Sequence, residues 1–86
     1  MCTYIVEKAP MTGSGKGAIG WFPVTQANVC YDHPSNALLE NSLNIDFVNE
    51  AMGPGARVAV EISADSAKAL VQAIQDALER GKNHHG

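Results

Sequence analysis

Apolar and polar residues alternate over four stretches of the chain, and a fifth stretch carries its apolar residues at helical spacing. From Thr3 to Lys8, Tyr4 and Val6 fall on one side and Ile5 on the other, a strand that Pro10 is expected to end. Val24 to Asp32 alternates again, with Ala27, Val29 and Tyr31 set against Gln26, Asn28, Cys30 and Asp32. Leu43 to Glu50 resumes the pattern through Leu43, Ile45 and Phe47, with Asn44 and Asp46 opposite. The turn Met52-Gly53-Pro54-Gly55 leads into Arg57 to Ile62, where Val58, Val60 and Ile62 share a side, so the last two runs predict an antiparallel hairpin. Ser63 is placed to cap a helix, Asp65 sits in its first turn, and Gly81 follows Arg80 as a stop signal. Ala67, Leu70, Val71, Ile74, Ala77 and Leu78 share one face of that helix.

Between the first two strands, Met11 to Gly20 is rich in glycine, which predicts a mobile loop or a hairpin tip. Trp21 and Phe22 follow, with Pro23 placing them at a strand edge or bend. Strands followed by one helix define the α+β class: a sheet of about four antiparallel strands with one C-terminal amphipathic helix packed on one face. Residues 1–81 make one small domain, and residues 82–86, which lack an apolar anchor, make a frayed tail.

The chain has 86 residues, 45% of them apolar. A domain of this size buries only roughly 60% of its extended-chain surface, so a twofold homodimer is expected to supply the missing cover. Nine acidic against six basic residues leave no broad cationic field, which excludes a general nucleic-acid binder. No apolar run approaches the roughly 20 residues that span a bilayer, which argues against a membrane partner. The N-terminus lacks the basic start and apolar stretch of a secretory signal, and the expected location is the cytoplasm. In that compartment Cys2 and Cys30 are expected to stay free thiols.

The segments MCTYIVEKA, GSGKGAIGWFP, YDHP, NIDFVNEA and GPGARVAVEIS resemble a family of small, uncharacterised bacterial proteins whose chains open with MCTY. The resemblance spans nearly the whole chain and implies a compact, free-standing protein. It implies no substrate, cofactor or catalytic residue.

Few residues stand out as carriers of chemistry. The run Gly13-Ser14-Gly15-Lys16-Gly17 departs from a phosphate loop: Pro10 stands where a glycine is needed and Gly17 where Ser or Thr is needed. If Met1 is removed, Cys2 becomes the first residue, whose amino group and thiolate could chelate a divalent transition metal. His33, held extended by Pro34 at a strand exit, is a second metal candidate, with Asp32 and Cys30 beside it. His84 and His85, in the tail, are read as solvated. Asn28, Cys30, Asn44, Asp46, Arg57 and Glu61 are expected on the sheet face opposite the apolar residues, where Arg57 pairs with Asp46 or Glu61. Buried in a dimer pocket, Asp46 or Glu61 would serve as catalytic acid or base, a role His33 also fits. Two function classes follow. The first is a homodimeric binding or interaction module that meets a small molecule or protein through Trp21, Phe22 and Arg57. The second is a small metal-binding protein or metal-dependent enzyme built on Cys2 and His33.

Overall fold

The computed structural model describes residues 6–33, 38 and 40–85, the last three of these without their side chains. Strand β1 spans Glu7–Gly17, β2 Gly20–Asp32, β3 Ser42–Val48 and β4 Arg57–Ile62, and helix α1 spans Ala64–His85. The strands form one antiparallel sheet in the order β1-β2-β3-β4, the simplest meander. The fold is therefore the expected α+β arrangement, with the C-terminal helix against β3.

The first strand differs most from expectation. It does not end at Pro10 but continues through the glycine-rich stretch to Gly17. Proline is tolerated because β1 is an edge strand, and the pairing with β2 shifts register between Pro10 and Gly13. Beyond that shift Gly13, Gly15 and Gly17 lie opposite Val24, Phe22 and Gly20, so one side of the strand carries no side chains. This bareness lets β1 curl onto β4. A Cβ on Gly17 would sit 2.6 Å from the Arg57 carbonyl oxygen, and one on Gly15 would sit 3.0 Å from Val24 Cγ2. Gly20, at φ 96°, closes the β1–β2 turn in a conformation that favours glycine.

The core sits under this curl. Phe22, Val24 and Ala56 are buried there, with Phe47 and Val58 packed against them. The burial of β2 passes from Phe22 and Val24 to Ala27, a step of three that changes strand parity beside the β1 register shift. Asn49 locks the β3–β4 connection: its backbone N–H donates to the Ala56 carbonyl, and its side-chain amide donates to the Pro23 carbonyl at 2.9 Å. The turn after it closes through Gly53, at φ 87°.

Farther along the same sheet face, two apolar rungs stay half-open: Val29–Ile45–Val60 and Tyr31–Leu43–Ile62. The helix, which meets the sheet at β3, leaves them half-buried apart from the exposed Tyr31. Ser63 caps it, accepting from the Ser66 N–H at 3.1 Å, but Ser63 is also the entire link from β4. From there the helix continues through Gly81 to His85, past the expected stop and through the segment read as a frayed tail. One glycine costs a helix only about 1 kcal/mol, which does not by itself end it. Its apolar stripe is exposed, from Leu70 at 42% to Leu78 at 70%.

Candidate functional site

The polar sheet face forms as the alternation requires. Asn28 and Asp46 are cross-strand partners, and Cys30, Asn44 and Glu61 make one rung. Arg57 binds Asp46, with its Nε 3.0 Å and its terminal nitrogen 2.8 Å from the same carboxylate oxygen. Both side chains are partly solvated, at 55% and 33% exposure, so the pair is an ordinary surface ion pair of small energetic weight. Nearby, Ser42 Oγ donates to Asn44 Oδ1 at 2.5 Å, and Asn44 Nδ2 lies 3.8 Å from Cys30 Sγ. Ser42, Asn44 and Cys30 are all buried, so this end of the polar face is less accessible than the apolar rungs behind it.

Cys30 is disulfide-bonded, which corrects the expectation of a free thiol at that position. The expectation came from the reducing compartment, an argument about where such bonds survive and not about which cysteines the fold brings together. In this state Cys30 has no thiolate to offer a metal. Cys2 lies outside the described residues. His33 is exposed at the end of β2; its backbone N–H donates to Asp32 Oδ1 at 2.7 Å, and its Nδ1 is 2.9 Å from the Glu40 carbonyl oxygen. The fold thus holds the imidazole through a backbone carbonyl, not through a second side-chain ligand. Among the described residues, no three His, Cys, Asp or Glu side chains gather as a metal-holding group.

Trp21 and Phe22, paired in the sequence as one contact patch, are separated by the strand's alternation. Trp21 is 71% exposed, whereas Phe22 is 2% exposed and belongs to the core, so Phe22 is corrected from contact residue to packing residue.

A concave feature lies where the sequence suggested a loop or hairpin tip. A cavity of about 320 Å³ is lined by the run Met11 to Lys16 on β1 and by Val24, Phe47 and Val58. Its walls are mainly aliphatic and aromatic; Thr12, Ser14 and Lys16 are the polar residues of the lining. A Cβ placed on Gly13 meets nothing within 4 Å, so the missing side chain leaves space instead of admitting a neighbour. Glycines at Gly13, Gly15 and Gly17 recur with the period of a strand, the signal in the sequence that marks a bare strand face. Among the described residues, no helix is long and apolar enough to cross a membrane.

No curated protein and no solved structure matches the chain. A family model does match, over residues 1–86. The chain therefore belongs to DUF6295, a family of unknown function.

Proposed function

We propose that the protein is a binding module for a small, mainly apolar molecule with one anionic end, taken up in the cavity under β1. The observation that supports this is the cavity itself: about 320 Å³, within the range of small-ligand sites, with apolar walls and few polar groups. Val24, Phe47 and Val58 supply the apolar surface, and the β1 backbone from Thr12 to Gly15 borders it. Lys16 has no ion-pair partner among the described residues and would receive a carboxylate. The glycines of β1 bring backbone close to the ligand, as a bare strand face permits.

Octanoate and 1-octanol are suitable probes, since they share a tail and differ in charge. Titrated into the ¹⁵N-labelled protein, both should give saturable amide shifts at Gly13, Gly15, Val24, Phe47 and Val58. Octanoate should bind about two- to fivefold more tightly, the range of a solvated ion pair. Lys16→Ala should erase that preference, and Gly13→Leu, which fills the space, should abolish binding of both. Absence of saturable shifts at these residues for either probe would overturn the reading.

A further inference from the structure

The helix is the largest element of the chain and the least covered. Its stripe of Leu70, Val71, Ile74 and Leu78 is 42–70% exposed, and Ala67 at the first turn is the last residue before Gly81 that is even half-buried. Twenty-two residues make a rod about 33 Å long. A one-residue link through Ser63 gives the chain no room to reverse, whereas turns that return a helix onto its preceding strand take about two to six residues. The helix meets the sheet at β3, and beyond Ala67 its stripe stays exposed. The same molecule thus carries an exposed apolar stripe on a rod and a half-buried apolar face on a sheet, with Tyr31 at its open end.

The chain as a whole also exposes more surface than a compact chain of its mass. A folded chain of 9.1 kDa should expose about 4,900 Å², but this one exposes 6468 Å². The excess is about twice the roughly 800 Å² that each partner loses in an interface of ordinary size. The radius of gyration, 14.2 Å, likewise exceeds the about 12 Å of a compact chain of this length.

We propose that a second copy of this chain covers both surfaces at once: the helix stripe of each protomer lies across the two apolar rungs of the other's sheet, about a twofold axis. The contact is self-complementary, since each protomer contributes the same rod and the same sheet face. It covers on each side a helix stripe and a sheet face, and it needs no partner of different composition. The inference stands apart from the cavity reading, because the stripe residues do not line the cavity.

Sedimentation velocity of the full chain at about 10–100 μM tests it. The wild type should sediment with twice the mass of the 9.1 kDa chain. Ile74→Glu and Leu78→Glu, both on the exposed stripe, should shift the species to the monomer while the far-UV circular dichroism keeps its sheet signal. Tyr31→Glu, on the opposing rung and 58% exposed, should do the same from the other side. A wild-type monomer over this range would overturn the proposal, and that includes the case in which a different protein covers the stripe. So would a dimer that withstands Ile74→Glu, or one that withstands Tyr31→Glu.

Discussion

The two ends of the sheet are built from the same alternation yet reach opposite degrees of closure. At one end β1 curls onto β4, and Phe22, Val24 and Ala56 are buried between them. At the other, Val29, Ile45 and Val60 are no less apolar but stay half-open. The difference is not hydrophobicity. At the closed end, glycine removes the side chains that would keep two backbones apart: Gly17 approaches the Arg57 carbonyl to a distance that no Cβ would tolerate. At the open end the helix follows β4 through a single residue and its apolar stripe stays exposed. A short chain closes a core where its backbone can come near, and leaves open what it cannot.

The comparison can be broken most severely at Phe22. Phe22→Ala leaves a void in the tightest part of the molecule and should cost about 3–5 kcal/mol, read as a lowered urea midpoint with an unchanged slope. An equal loss from Val29→Ala, at the open end, would show that the two ends do not differ in packing.

A smaller effect should come from Gly17→Ala. The added methyl must push β1 off the Arg57 carbonyl, an overpacking penalty of about 1–3 kcal/mol, whereas Gly13→Ala, where nothing lies within 4 Å, should be almost neutral. Equal melting temperatures for the two variants would remove close backbone approach as the reason for the glycine pattern.

The smallest effect belongs to the polar face. Arg57→Ala removes a half-solvated ion pair with Asp46 and should cost under about 1 kcal/mol, screened further by salt. A loss comparable with that of Phe22→Ala in thermal melts would mean that the pair, and not the glycine curl, secures the β3–β4 end.

Much of this organisation was legible before any coordinates. The period-two runs from Val24 to Asp32 and from Arg57 to Ile62 became β2 and β4 because a half-buried strand must alternate. The same parity placed Asp46, Arg57 and Glu61 on one face and brought Arg57 to Asp46. Ser63 read correctly as a cap, since its oxygen serves a local N–H. The glycine-rich segment did not read as a strand, because propensity describes a residue alone and these glycines are needed for what lies against them. The cavity was hidden for the same reason: it is bounded by β1, Val24, Phe47 and Val58, which only the meander brings together.

The sequence by itself therefore determined the strand faces, the helix and its cap, and the mixed class of the fold, all of which depend on neighbours within a few positions. Tertiary structure alone decided the fate of the pairing of Cys30, the separation of Trp21 from Phe22, the curl of β1 and the exposure of the helix stripe. Each of these depends on contacts between residues far apart in the chain. Local periodicity can say which side of an element is apolar; it cannot say whether anything is close enough to cover it.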